Sequence, residues 1–298
     1  MLESLLNRNI GADKKNSRGK HMKKLKILIV TNLTNETDED IILGREFIND
    51  GHNVTFSYLD FDEKLENIYD VIIRRNTWWK DGTKMFEYYK NDIEFSKRVL
   101  SRNLCTINFN GKFDATNKDY LVDFFKKGYS VIPTVNNVDD IDLLGQHEKY
   151  LIKPIKGYDG LYQKKVSYDE IKENYQSGDI VQPVIKFKSE VQFYFLKNKF
   201  FYALEFAPSK IPVMPTPMFY EYTEEDLETA KMFADLNDDF IGIQRIDFVK
   251  DMTDKLLLLE IEDHSPVFDF KHLPKELYQQ FIKEYKEMVY NHVDKFEQ

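Results

Sequence analysis

Three acidic residues near the carboxyl end of the chain could hold a cation. Glu260 and Glu262 end a short apolar run, Leu256–Leu259, and side chains two residues apart on a strand point to the same face. A second apolar strand carries Arg245 and Asp247, and antiparallel pairing of the two strands would bring all three carboxylates together. Converging carboxylates are costly unless a cation neutralises them, and Mg²⁺ prefers such oxygen ligands. The alternative is a hairpin with a charged face toward solvent.

Two lysines could contribute to an anion site. Lys153 lies inside a short apolar strand, and a loop with two glycines, Gly157 and Gly160, follows it. Backbone N–H groups of such a loop can donate to phosphate oxygens, although a plain hairpin turn is the alternative interpretation. Lys118 lies in the first turn of a helix that begins with the N-cap candidate Asn117. A lysine is mildly unfavourable there, and a bound anion would reverse the penalty.

An arginine, a histidine and a cysteine complete the candidate chemistry. Arg75 follows the predicted strand Val71–Ile73, and ligands of open parallel sheets bind beyond the carboxyl ends of the strands. Its guanidinium matches a carboxylate bidentately, although a doubled arginine in a loop is usually solvated. His264 is either a base beside the acidic trio or, as a lone histidine, structural. Cys105 is the only cysteine, which excludes an intrachain disulfide and a thiolate zinc cluster.

The elements that must position these residues alternate in the first part of the chain. Apolar strand patterns at residues 26–30, 54–56, 71–73 and 106–108 are interleaved with helical patterns at 40–49 and 88–100. This rhythm predicts a small open parallel sheet with helices on its faces. Later, Pro183 interrupts the predicted strand Asp179–Ile185, which indicates a sheet edge or a hinge. The runs Val191–Leu196 and Phe200–Phe206 predict a hairpin.

Composition bounds the partners of the chain. Its 298 residues are 42% hydrophobic, which is ordinary for a globular protein, and the formal net charge of −9 argues against a broad nucleic-acid surface. No apolar run approaches the roughly 18–20 residues that span a bilayer. The first 22 residues lack the apolar core of a secretory signal, and we interpret them as a mobile tail. We therefore expect a cytoplasmic protein without nucleic-acid or membrane partners.

Six stretches, in order, resemble the ATP-grasp superfamily, most closely its glutathione-synthetase-like, ribosomal-S6-glutamate-ligase-like and ureido-serine cyclo-ligase-like branches. They are DVIIRRNTWW, NKDYLVDFFKKGYSVIPT, YLIKPIKGYDG, IVQPVI, QRIDFV and LLLLEIEDHSP. The resemblance implies an α+β protein in which a Rossmann-like (pre-ATP-grasp) α/β domain precedes an ATP-grasp fold, whose two lobes clasp ATP. The implied division is a tail at 1–22, the Rossmann-like domain at 23–112, the small lobe at 113–180 and the C-terminal lobe at 181–298.

The resemblance also implies roles for individual residues. Lys118 and Lys153 correspond to the lysines that hold the ATP phosphates, under a loop that includes Gly157 and Gly160. The Mg²⁺ ligands correspond to Asp247, Glu260 and Glu262. The remaining correspondences are the backbone of Gln182, Pro183 and Val184 with adenine, Glu190 with the ribose, Arg245 with the residue preceding the metal ligands, and Arg75 with a substrate contact. The family usually has a basic residue after Glu190, for which Lys210 could substitute.

The implied activity is an ATP- and Mg²⁺-dependent, ADP-forming ligation of a carboxylate to an amine through an acyl phosphate. Its partners would be small-molecule carboxylate and amine substrates of an amino-acid-like or peptide kind, and a homodimer is an open alternative to a monomer. One rival is a nucleotide-binding sensor or degenerate protein without turnover, which the missing basic residue after Glu190 favours. Another is a kinase that leaves the phosphate on its acceptor.

Overall fold

The computed structural model describes residues 23–32, 38–59, 67–77, 85–113, 118–155, 162–208 and 216–298. Several residues singled out in the sequence lie outside these ranges, namely the tail at 1–22, Asn117, Gly157, Gly160 and Lys210. The described part of the chain builds three separate β-sheets. None of its helices combines the length and the apolar character needed to cross a membrane.

The first sheet contains four parallel strands in the order β2-β1-β3-β4. The strands are β1 (Lys26–Val30), β2 (Asn53–Ser57), β3 (Val71–Arg74) and β4 (Thr106–Ile107), with helices α1 (Asp38–Asn49) and α2 (Met85–Ser101) between them. β1 and β3 are almost fully buried, as expected for central strands of a parallel sheet covered on both faces. The predicted order of strands and helices is confirmed, with helix starts displaced by two or three residues.

The second sheet is small and antiparallel, in the order β6-β5-β7. Helix α3 (Asp119–Lys126) and a 3₁₀ helix (Val138–Leu144) precede it, and its elements are β5 (Tyr150–Pro154), β6 (Lys164–Val166), α4 (Ile171–Asn174) and β7 (Asp179–Pro183). Lys118 occupies the N-cap position of α3, not its first turn as predicted, and makes no side-chain cap. The predicted domain boundary between residues 180 and 181 falls inside β7, a strand that pairs with β5 of this sheet.

The third sheet is antiparallel, in the order β10-β9-β8-β11-β12. Its elements are β8 (Phe187–Leu196), β9 (Lys199–Phe206), β10 (Met218–Phe219), α5 (Glu224–Asp235), β11 (Ile243–Asp251) and β12 (Leu256–Glu262), followed by α6 (Lys275–Phe296). The predicted hairpin of Val191–Leu196 and Phe200–Phe206 is confirmed, since β8 and β9 pair antiparallel. Helix α5 begins with a capping box, in which the Thr223 side chain accepts from the Asp226 N–H and the Asp226 carboxylate accepts from the Thr223 N–H.

Two apolar cores hold the third sheet in place. On one face, α6 contributes Phe281 and Tyr285 to a core that also contains Ile27 and Ile73 of the first sheet and Tyr202 of β9. On the other face, residues of α3 and α5 cover β8, β11 and β12. The first sheet therefore packs through a shared core against the sheet that carries the three candidate carboxylates.

Candidate active site

The three candidate carboxylates converge at the paired strands β11 and β12. Asp247 lies opposite Glu260, and Arg245 lies opposite Glu262, in an antiparallel register with a bulge just after Asp247. One carboxylate oxygen from each acidic residue lies within 4.8 Å of the others. The predicted pairing and convergence are therefore present. That these residues bind a metal ion stays a prediction.

Two cations are bonded to these carboxylates. Arg245 donates from Nε and Nη2 to the two oxygens of Asp247, both at 2.8 Å, and from Nη2 to Glu262 at 2.7 Å. Lys118 donates from Nζ to Glu260 at 2.5 Å. Burial raises the pKa of Asp247 in spite of Arg245. Burial also opposes ionisation of Glu260, but Lys118, Arg245 and Lys153 together prevail and lower its pKa. The site is thus a compact, partly desolvated cluster of opposite charges.

Lys153 and Glu190 lie within electrostatic range of the same cluster. Burial and the charge of Lys118 lower the pKa of Lys153 to about 8, against the opposing fields of Glu260 and Glu190. Burial raises the pKa of Glu190, and the neighbouring charges of Asp247 and Glu260 add to the rise. The structure therefore brings together seven predicted site residues from four parts of the chain: Lys118, Lys153, Glu190, Arg245, Asp247, Glu260 and Glu262.

The donor set fits a hard divalent cation. Two oxygens bound to one Mg²⁺ at about 2.1 Å are at most about 4.2 Å apart, so the trio needs only a small contraction to share an ion. Four carboxylates and three cations leave the cluster with a small net negative charge. An added divalent cation would make it net positive, and such a site attracts polyanions such as a polyphosphate.

The predicted adenine contact is not supported for the N–H of Val184. This N–H donates to the carbonyl of Lys149 at 2.8 Å, because the pairing of β7 with β5 continues one residue beyond Pro183. The Gln182 side chain is buried and donates to Thr134 Oγ1 at 2.8 Å. Pro183 has no N–H to offer. An adenine base that docks on this segment therefore has no N–H available from Pro183 or Val184 and must use other backbone groups.

Arg75 is not placed as the predicted substrate clamp. Arg75 is 1% exposed, and its Nε pairs with Asp40 at 2.9 Å. Its Nη2 donates to the carbonyl of Pro266 at 3.0 Å, and its Cζ lies 3.7 Å from the centroid of the Phe268 ring. Only the buried Nη1 has no partner. Arg75 thus joins α1 to the segment that follows β12, which is a structural role.

We expect Arg75→Met to lower the free energy of unfolding by about 3 kcal/mol, because the change leaves the carboxylate of Asp40 buried without its cation. Chemical denaturation measures the loss. Arg45→Met on the same helix as Asp40 is a control, since Arg45 is exposed and has no described ion pair of this kind. Equal stability of the Arg75 variant and the wild type would contradict the structural role.

Arg74 and Asp92 form a buried ion pair that the sequence did not reveal. Arg74 Nη2 lies 2.5 Å from Asp92 Oδ2, which in turn lies 3.0 Å from His264 Nε2. The guanidinium also contacts the imidazole, 2.8 Å from Nδ1. Burial opposes ionisation of Asp92, but the interactions with Arg74 and His264 together prevail and lower its pKa to about 2. His264 is therefore engaged in this internal network, which supports the structural interpretation.

Glu39 is a second residue that sequence reasoning missed. Its carboxylate accepts the backbone N–H groups of Phe268 at 2.7 Å and Phe270 at 2.9 Å. Burial raises its pKa to about 7, against these hydrogen bonds and the charge of Arg75, while the charge of Asp269 adds to the rise. Acidic residues in a first helical turn usually indicate only dipole stabilisation, so no sequence pattern indicated this contact.

The raised pKa of Glu39 predicts a pH-dependent stability. Between the ordinary pKa of about 4.5 and the folded value of about 7, the folded protein binds more protons than the unfolded chain. The free energy of unfolding should therefore fall as pH rises through this window, by up to about 3 kcal/mol from this group. In Glu39→Gln this part of the decrease should disappear. Denaturation curves at pH 5 and pH 8 test it, with Asp38→Asn as the control. A parallel pH dependence in wild type and Glu39→Gln would contradict it.

Solved structures with the same fold are ATP-grasp ligases. The crystal structure of the D-cycloserine synthetase DcsG matches with a TM-score of 0.66 and 17% identity, over 87% of this chain and 99% of that one. D-alanine–D-alanine ligase from Bacillus anthracis, complexed with ATP, matches at 0.63 and 14%, over 91% and 98%. The ATP-grasp ligase PsnB, complexed with minimal precursor, Mg and ADP, matches at 0.60 and 11%, over 92% and 100%. Neither a protein-family model nor a curated protein sequence matches the chain.

These identities are too low to transfer an activity, but each likeness extends over most of both chains. They agree with the resemblance that the ordered sequence stretches indicated. The chain therefore has the fold of the ATP-grasp ligases.

Proposed function

We propose that the protein is an ATP- and Mg²⁺-dependent ligase that joins a carboxylate to an amine and forms ADP. One observation carries the proposal: the carboxylates of Asp247, Glu260 and Glu262 converge within 4.8 Å. Lys118 is bonded directly to this trio, and Lys153 lies in its field. The fold supports the same conclusion, since its solved neighbours include ligases complexed with ATP or with Mg and ADP.

In the proposed reaction, the substrate carboxylate attacks the γ-phosphorus of ATP, which gives an acyl phosphate and ADP. An amine then attacks the acyl carbon, and inorganic phosphate leaves as the amide forms. Asp247, Glu260 and Glu262 would hold Mg²⁺, which when bound neutralises phosphate charge. Lys118 and Lys153 would offset the remaining charge, and Arg245 would keep Asp247 and Glu262 aligned. The protein contributes position and charge, with no protein nucleophile required.

We also propose the domain roles that the family resemblance implied. The sheet β1–β4 would be the Rossmann-like domain that precedes the ATP-grasp fold, and the two antiparallel sheets would be the lobes that clasp ATP. In support, Lys153 lies on the three-stranded sheet and the carboxylate trio lies on the five-stranded sheet. Ligand bound between Lys153 and the trio would thus contact both lobes. The loop with Gly157 and Gly160 would close over the phosphates, Glu190 would serve the ribose, and Lys210 would supply a further cation.

A second candidate is a nucleotide-binding protein without turnover. Gln192 on β8 lies opposite Asp247 on β11. Its side chain is a neutral amide, whereas a basic residue was expected in this stretch after Glu190. Reduced charge at this point would weaken stabilisation of a transferring phosphoryl group more than binding of the nucleotide. This observation favours a sensor, although Arg245 supplies a cation from the adjacent strand β11.

One assay separates these functions. Purified protein is incubated with ATP, Mg²⁺ and pooled amino acids, and ADP, free phosphate and product masses are followed. Ligation predicts ADP and phosphate that require both a carboxylate and an amine, and a product mass equal to the two substrates less one water. ATP binding without hydrolysis in any mixture would favour the sensor. A stable phosphorylated product would show a kinase and overturn the ligase proposal.

A further inference from the structure

Behind the carboxylate trio, a set of fully buried polar side chains joins β11 to the end of β12. Gln244 precedes Arg245 on β11, and side chains alternate between the two faces of a strand, so Gln244 lies on the opposite face from Arg245. Asp263 follows Glu262 directly after the end of β12. Gln244 and Asp263 are 0% exposed, as is Asn237, which lies between them.

Asn237 bridges the other two residues. Its Nδ2 donates to Gln244 Oε1 at 3.2 Å and to Asp263 Oδ2 at 2.9 Å. Its Oδ1 accepts the backbone N–H of Lys112 at 3.3 Å. The orientation of the amide follows from these partners, because a backbone N–H can only donate and an ionised carboxylate can only accept. We call Asn237, Gln244 and Asp263 the buried hub.

The hub also fixes the segment that connects the first sheet to α3. Asp263 Oδ2 accepts the backbone N–H of Phe113 at 3.0 Å. At Gly111 an added Cβ would lie 2.4 Å from the Asp263 carboxyl carbon, so only glycine allows the chain to approach this closely. Gln244 is held from a further side, since its Nε2 donates to the carbonyls of Lys197 at 2.8 Å and Ala234 at 3.1 Å.

We propose that the buried hub is a set of positioning residues for the metal-binding carboxylates. The hub is covalently adjacent to both partners of the Arg245–Glu262 pair, so a shift of Asp263 or Gln244 must turn the neighbouring residue on the catalytic face. Buried polar networks are stiff when every polar group has a hydrogen-bond partner. Asn237 has three described hydrogen bonds, to Lys112, Gln244 and Asp263, and all three hold this network together. The inference rests on the proposed function, because it assumes that the trio binds a metal ion.

The experiment uses Mn²⁺ and ADP as probes, with the Mn²⁺ dissociation constant measured by electron paramagnetic resonance at saturating ADP. Asn237→Asp replaces the amide NH₂ group, which donates two hydrogen bonds, by a carboxylate oxygen that faces the carboxylate of Asp263. We expect this variant to bind Mn²⁺ about 10-fold more weakly, as is typical when the outer partners of metal ligands are removed. The affinity for ADP without metal should stay close to that of the wild type, a split that a general loss of structure would not produce.

A double variant and a control sharpen the test. Adding Asp263→Asn to Asn237→Asp restores a donor opposite an acceptor, so part of the Mn²⁺ affinity should return. Asp263→Asn alone provides a milder variant if Asn237→Asp does not fold, and it should also weaken Mn²⁺ binding. The matched control is Asp239→Asn, an exposed position near the hub, which should leave Mn²⁺ binding unchanged.

The two ways to fail are distinguishable. If Asp247→Asn does not weaken Mn²⁺ binding, the proposed metal site itself is wrong. If Asp247→Asn weakens binding but Asp263→Asn and folded Asn237→Asp bind Mn²⁺ as the wild type does, the metal site stands and the positioning role of the hub is refuted. Equal losses of Mn²⁺ and of metal-free ADP affinity would also refute it, since they would indicate general damage.

Discussion

Glu260→Gln is expected to lower Mg²⁺-dependent turnover of ATP by about 100-fold or more, while the fold persists. The glutamine has the same shape but no charge, so a divalent cation loses an anionic ligand. The change also releases Lys118, which now pairs with Glu260 at 2.5 Å. Turnover is measured as ADP formation with the substrates that the pooled assay identifies, over a range of Mg²⁺ concentrations.

Two comparisons make the result on Glu260 specific. Glu228→Gln makes the same chemical change at an exposed position of α5 and should leave turnover unchanged. If metal affinity is the cause, raising the Mg²⁺ concentration should restore part of the activity of the Glu260 variant. Normal turnover at low Mg²⁺ in this variant would remove Glu260 from the metal site.

Lys153→Ala is expected to weaken ATP binding by about 10- to 100-fold, which corresponds to the loss of one charged hydrogen bond of about 1.5–3 kcal/mol. Folding should not suffer, because the half-buried ammonium loses hydration in the folded protein and its removal relieves that cost. Calorimetric titration with ATP measures the affinity. Lys165→Ala on the neighbouring strand β6 is an exposed control. Unchanged ATP affinity in Lys153→Ala would exclude Lys153 from the nucleotide site.

The pKa of Lys153 adds a pH dependence to that prediction. With a pKa of about 8, this ammonium is lost as pH rises through 8 in the unliganded protein, so ATP affinity should fall above that pH. Lys153→Arg keeps its charge there and should bind ATP with less dependence on pH. The pH dependence of stability has the opposite sign to that of ATP affinity. Between about 8 and 10.5 the unfolded chain binds the additional proton, so the free energy of unfolding contributed by this group rises with pH.

The carboxylate trio could be predicted from the sequence because its geometry is local. Two short apolar strands separated by a few residues tend to pair, and the period of two along a strand places Glu260 and Glu262 on one face. The pairing of Asp247 with Glu260 follows from the register of that hairpin. The family resemblance placed Lys118 at the ATP phosphates, but its bond to Glu260, 142 residues away in the chain, was not predicted, since no local pattern encodes it.

The roles of the two adjacent arginines could not be predicted for the same reason. Their side chains lie on opposite faces of the first sheet, and each role depends on a distant partner: Asp92 for Arg74 and Asp40 for Arg75. A pair of arginines at a strand end predicts an exposed clamp as readily as two buried ion pairs. The N–H of Val184 is a similar case, because the pairing of β7 with Lys149 is invisible in a sequence that suggests a break at Pro183.

The proposed function depends on a divalent cation shared by Asp247, Glu260 and Glu262 beside a bound nucleotide. Anomalous diffraction from crystals of the protein grown with ADP and Mn²⁺ tests this most directly. We predict a manganese peak bonded to oxygens of these three residues, with the nucleotide phosphates next to it and to Lys118 and Lys153. Nucleotide bound with manganese held by other residues, or with none of these three carboxylates in contact with the ion, would contradict the account.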